Sequence, residues 1–111
     1  MTSYLFTFRA PAGYTGTPDT FDAWCAWQAR LGARLRDRGH RAVAAAALGA
    51  GPAETALGGY SVIRAASLDH AVTLARDCPM LAYGGTVEVG ELDVNDQGFD
   101  KWLEAHLGES R

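Results

Sequence analysis

The sequence predicts one α+β domain, with strands and helices in the order β-α-β-β-α-β and a further helix at the C-terminal end. Three observations lead there. Apolar residues alternate with period two in SYLFTFR, GYSVIRA and GTVEVGEL. They recur at helical spacing in three other segments, which are bounded by capping residues, glycine or proline. The length, 111 residues, suits a single hydrophobic core and is too short for two.

The first strand spans residues 3–9, with Tyr4, Phe6 and Phe8 on one face and Leu5, Thr7 and Arg9 on the other. Gly and Pro punctuate the loop that follows. Thr17-Pro18 opens a helix: Thr17 caps, and Pro18 sits where no intrahelical N–H is needed. Asp19 and Asp22 suit the positive end of its dipole. Its stripe is Phe21, Trp24, Cys25, Gln28, Leu31 and Leu35, and Gly39 is the predicted stop.

Residues 41–48, RAVAAAAL, are predicted as a short second strand. Alanine favours strands poorly, but the glycines on either side favour a strand over a helix. Residues 59–65 form the third strand. Ser67 caps a second helix from Leu68 to Cys78, and Pro79 stops it. The fourth strand runs from Gly85 to Leu92. The last helix, Asp96 to Leu107, carries Phe99, Trp102, Leu103, His106 and Leu107 on one face.

This order is the split βαβ, or ferredoxin-like, pattern. Right-handed crossovers place both main helices on one face of a four-stranded antiparallel sheet. The other face, also partly apolar, then needs a cover. A second copy of the chain, pairing sheet to sheet as a homodimer, is the expected one, and the final helix is the alternative. The predicted division is residues 1–94 as the domain and residues 95–111 as a helical extension.

Composition narrows the function classes. Ten Lys and Arg against thirteen Asp and Glu give a net charge of −3, unlike the basic total of a nucleic-acid binder. Arg30, Arg34, Arg36, Arg38 and Arg41 cluster locally, as on the solvated face of an amphipathic helix, with a phosphate or carboxylate site as the alternative reading. No apolar run approaches the roughly 20 residues of a membrane span. The first residues, MTSYLFTFR, lack the basic region of a signal peptide. Cys25 and Cys78 each fall on an apolar helical stripe and belong to no CxxC pair, which predicts buried free thiols in a cytoplasmic protein. His40, His70 and His106 have no metal-ligand spacing, so neither metal nor cofactor is expected.

The stretch GPAETALGGY, residues 51–60, raises a sharper question. A phosphate-binding loop would lead from a strand into a helix N-terminus. Here a strand follows, so the stretch is a hairpin connection. Near it, Gln28 is a polar residue in an apolar stripe beside Trp24 and Trp27, and aromatics with one placed amide suit a small-ligand pocket as well as a core. Arg9, at a strand end, suits an anion. Arg9, Trp24, Gln28, Glu54 and Tyr60 are therefore the candidate ligand contacts, and Tyr83 is a further neighbour. No catalytic residue is assigned.

GPAETALGGYSVI, then SLDHAVTLARDCP, then GGTVEV resembles the YCII-related family, in the subgroup named for an Asp-Gly-Pro-Phe motif. YLFTFR is similar to that family's first strand, and the resemblance covers roughly residues 3–92. It implies a dimeric α+β barrel built from ferredoxin-like domains, with a cleft between sheet and helices. The motif aspartate is replaced by Ala50 and its phenylalanine by Ala53 or by nothing. The first helix lacks the histidine that relatives pair with an aspartate, so that acid–base dyad is not carried over. The expected role is binding of a small organic or anionic molecule. The alternatives are a cofactor-independent enzyme (isomerase, monooxygenase or lyase-like) and an interaction module of the kind the resemblance associates with alternative sigma factors.

Overall fold

The computed structural model describes residues 1–51, 54–94 and 97–107. The elements are β1 (Thr2–Pro11), α1 (Pro18–Leu31), β2 (Leu35–Asp37), β3 (Thr55–Ala65), α2 (Leu68–Ala75), α3 (Pro79–Ala82), β4 (Thr86–Glu91) and α4 (Gln97–Leu107). A short 3₁₀ turn, Gly32–Arg34, joins α1 to β2. The four strands form one open antiparallel sheet in the order β2-β3-β1-β4.

The alternation in β1 decides which face is packed. Tyr4, Phe6 and Phe8 are buried, while Leu5, Thr7 and Arg9 are half-buried. Pairing sets Tyr4 opposite Ile63, Phe6 opposite Ser61 and Val89, and Phe8 opposite Gly59 and Val87. This face meets α1 and α2. Trp27, 1% exposed, is the keystone of the contact. Its ring lies 6.3 Å from Phe6 and 6.0 Å from Phe8, and its Nε1–H donates to the Leu74 carbonyl of α2 at 3.1 Å. A buried indole thus has its one donor satisfied while fastening the two helices together.

The helix starts follow the predicted chemistry. Thr17 and Thr20 form a reciprocal capping box, and Pro18 occupies the first turn of α1. The Ser67 hydroxyl accepts from the His70 N–H at 3.1 Å, while His70 Nδ1 accepts from the Ala66 N–H at 3.0 Å. The imidazole thus accepts from the residue before the cap, not from the Ser67 N–H as a capping box would.

Four expected boundaries are corrected. The first helix ends at Leu31 rather than near Gly39, because Gly32 takes φ 58° and its N–H caps the Gln28 carbonyl. Leu35, expected on the helical stripe, instead enters β2, and the second strand is Leu35–Asp37 rather than residues 41–48. The alanine run offers only Val43 and Leu48 as larger apolar side chains, and both stay exposed. Only its start is held, through an isolated bridge between Arg41 and Gly59. The third strand begins at Thr55, earlier than expected, and the second helix breaks after Ala75, with α3 following from Pro79.

The C-terminal helix is present, but it does not join the core. Among the described residues, α4 has no substantial packing against the sheet or the other helices. Its rings pack on one another: Phe99 stacks on Trp102 at 6.1 Å, and Trp102 on His106 at 4.2 Å. The chain is correspondingly long, 49 × 33 × 22 Å, with a radius of gyration of 16.3 Å, where a compact chain of this length has about 13 Å. Asp96, the predicted helix start, and residues 108–111 of the extension lie outside the described residues.

Trp27→Ala is expected to cost about 3–5 kcal/mol, a large share of the roughly 5–15 kcal/mol of a small domain. Urea unfolding followed by circular dichroism checks this. A loss below about 1 kcal/mol would show that the sheet–helix contact does not hinge on this ring.

Candidate functional site

A short wall of irregular chain shapes the site. After β2, residues 38–42 run along the outer edge of β3. The Tyr60 N–H donates to the His40 carbonyl at 3.3 Å and the Ala42 N–H to the Gly58 carbonyl at 2.9 Å. The buried Ser61 hydroxyl donates to the Arg38 carbonyl at 2.6 Å. The Asp37 carboxylate accepts from the Gly39 N–H at 2.8 Å and fixes the turn into this wall.

Two glycines make the approach possible. Gly39 has φ 74°, and a Cβ there would run into the Tyr60 carbonyl. A Cβ at Gly59 would lie 2.7 Å from the His40 carbonyl oxygen. The Gly58-Gly59 pair also absorbs a bulge, since Phe8 pairs with Gly59 and Arg9 with Leu57. On the packed face, β3 therefore presents Gly59 and Ser61, which leave open space between Phe8 and the wall.

That space is a cleft of about 1160 Å³. α1 forms its roof with Phe21, Trp24, Cys25 and Gln28, and the wall supplies Arg38, His40 and Arg41. Phe8 and Trp24 meet edge to face at 5.0 Å, and Trp24 meets Trp27 at 5.6 Å. A half-buried Trp24 against the buried Phe8, beside one amide, is the lining that orients small organic molecules.

Of the predicted contacts, Trp24, Gln28 and Tyr60 line this cleft. Arg9 and Glu54 are not among the lining residues. Arg9 projects on the other face of β1, where its Nε and guanidinium nitrogen donate to Thr55 Oγ1 at 2.8 Å and to the Thr55 carbonyl at 2.9 Å. The Glu54 carbonyl accepts from the Ala12 N–H at 2.9 Å, and its side chain is exposed. Tyr83 lies 6.0 Å from Tyr14. Ala50 is exposed, and Ala53 lies outside the described residues. Sequence reasoning did not single out Phe8 or Ser61 for the site, and it held Arg41 only within a cluster whose alternative reading was a phosphate or carboxylate site. The glycines at 39, 58 and 59 were the available signal, because only a close backbone approach requires so many.

The cysteines divide. Cys78 is buried as expected, and burial pushes its thiol up to about 12, opposed in part by a hydrogen bond with the Met80 backbone. Cys25, expected to be buried, is exposed, because the stripe of α1 centres on Trp27 and Leu31 and carries Cys25 to its margin beside the cleft. Burial, followed by the neighbouring Glu91 charge and its hydrogen bond, also raises the Tyr4 phenol. Among the described residues, no group of three or more His, Cys, Asp or Glu side chains is placed to hold a metal ion, and no helix is long and apolar enough to cross a membrane.

Fold and cleft together define an α+β domain with one open antiparallel sheet and a large cleft over its glycine-rich edge. No protein-family model, curated protein or solved structure matches the chain.

Gly39→Ala and Gly13→Ala separate steric approach from backbone preference, because φ is 74° at one and 78° at the other, and only Gly13 has open space around it. Gly13→Ala is expected to cost about 1 kcal/mol. Gly39→Ala should exceed it by at least about 1 kcal/mol, since a backbone carbonyl must move. Equal midpoints in thermal unfolding would show that the wall does not depend on this contact.

A thiol reagent should modify Cys25 in the folded protein and reach Cys78 only on unfolding. A raised folded-state value means that the Cys78 contribution to stability is full below its ordinary value of 9.0 and is lost as pH rises toward about 12. Cys78→Ala should therefore show a shallower alkaline decline in urea stability than wild type, with Tyr4 sustaining the remainder.

Proposed function

We propose that the protein binds a small organic molecule in the cleft between α1, the 38–42 wall and the sheet. We further propose that it does so as a YCII-related protein with a ferredoxin-like fold. The observation that carries the binding reading is the Phe8–Trp24 pair standing over a floor of Gly59 and Ser61. An aromatic wall above a floor that carries no bulky side chain offers apolar contact to a ligand. The element order and the sheet order β2-β3-β1-β4 support the ferredoxin-like reading.

A homodimer through the open sheet face belongs to the same proposal. That face carries Leu5, Thr7 and Val62 with Arg64 and Glu88. A two-fold interface must be complementary to itself, and a patch holding apolar residues and both charge signs meets that condition. The cytoplasmic setting is part of the same expectation.

Binding is favoured over catalysis because no carboxylate lines the cleft among the described residues, which leaves acid–base chemistry to Tyr14, Cys25, His40 and Tyr60. An interaction role has one observation in its favour: Phe99 and Trp102 of α4 are 55% and 51% exposed.

Native mass spectrometry of protein purified under gentle conditions tests the proposal. The expected species is a dimer carrying additional small-molecule mass, released when the sample is denatured. A monomer would overturn the sheet-paired assembly. A chain that carries no ligand and takes up no apolar probe would overturn the binding reading and leave α4 as the surface to pursue.

A further inference from the structure

We infer that the cleft selects an aromatic acid, with Arg41 as the principal contact for the acid group and the Phe8–Trp24 pair as the contact for the ring. This inference rests on the small-molecule reading of the cleft and adds the charge of its ligand.

Three independent features point the same way. The first is the charge of the lining. Acidic residues outnumber Lys and Arg by thirteen to ten in the whole chain, yet Arg38, His40 and Arg41 line the cleft and, among the described residues, no Asp or Glu does. The nearby Asp37 carboxylate is already engaged by the Gly39 N–H.

The second is register. The bridge between Arg41 and Gly59 places Arg41 level with the residue that pairs with Phe8. Across one row of the sheet the order is Val87, Phe8, Gly59, Arg41. The single position without a side chain therefore separates the aromatic ring from the arginine. A ligand lying over Gly59 spans from one to the other.

The third is the opposite wall, formed by the first turn of α1. Thr17, Pro18 and Thr20 line the cleft, so the positive end of a 14-residue helix, partly offset by Asp19 of the same turn, borders the same space. A guanidinium holding a carboxylate or sulfonate forms charge-assisted hydrogen bonds, stronger than neutral ones, and an open cleft leaves them sensitive to salt.

Two fluorescent probes with one aromatic frame test this. 8-Anilinonaphthalene-1-sulfonate carries an acid group, and N-phenyl-1-naphthylamine is its neutral counterpart. Both are titrated into Trp102→Phe protein, in which energy transfer reports only from Trp24 and Trp27 and α4 is silent. The expected result is transfer to both probes, with the sulfonate bound about tenfold more tightly. Arg41→Gln should remove most of that difference without changing the affinity for the neutral probe. Arg76→Gln, an exposed arginine on another surface, should change neither. Added salt should weaken only the sulfonate. Equal affinities for the two probes, or an Arg41→Gln protein that still prefers the sulfonate, would overturn the acid-selective cleft while the small-molecule reading stands. Transfer to neither probe would overturn both.

Discussion

Trp27 is the residue on which the rest of the architecture leans. A four-stranded open sheet with helices on one face has only one place to build a core. Here that core is thin, because α2 is short and contributes alanines. The indole fills it by contacting two aromatic rings of β1. Its single donor meanwhile satisfies a carbonyl of α2. Burying so large a ring contributes a few kcal/mol, and the hydrogen bond makes the contribution directional. The position of α1 over the sheet follows, and with it the position of Trp24, one turn earlier, over the end of β1.

A second constraint shapes what the core does not fill. Where the chain passes β3 a second time, backbone meets backbone, and Gly39 and Gly59 are the residues that allow it. The same absence of side chains that brings the wall close leaves the floor beside it empty. Packing and vacancy are thus two results of one local choice. The sheet is closed tightly along its edge, and a cleft remains between that edge and the roof provided by α1.

The sheet and its helices were legible in the sequence wherever periodicity was strong. YLFTFR, GYSVIR and TVEV alternate cleanly, and Thr17-Pro18 and Ser67 carry unambiguous caps. The failures lie where one local signal competed with another. Leu35 continues the apolar spacing of α1, so the helix reads on through Gly32. That glycine instead adopts a left-handed conformation and turns the chain into a strand. The alanine run then looks like the missing strand because the real one, at Leu35–Asp37, is too short to announce itself. For the site, Trp24, Gln28 and Tyr60 were legible as an aromatic and amide cluster. Arg9 was legible as facing away from Phe8, but its hold on Thr55 was not, because β3 begins at Thr55, ahead of the glycine taken as its start.

The arginine cluster shows how far one misplaced boundary reaches. As the face of a single long helix, Arg30, Arg34, Arg36, Arg38 and Arg41 would be a solvated stripe with nothing to hold. Gly32 divides them. Arg30 remains on α1, Arg34 falls in the 3₁₀ turn and Arg36 in β2. Arg38 and Arg41 are carried round to the wall of the cleft. A helix stop at one glycine therefore converts part of a surface charge pattern into the polarity of an open cleft. That space lies opposite an aromatic pair which the same helix, by ending where it does, holds in place.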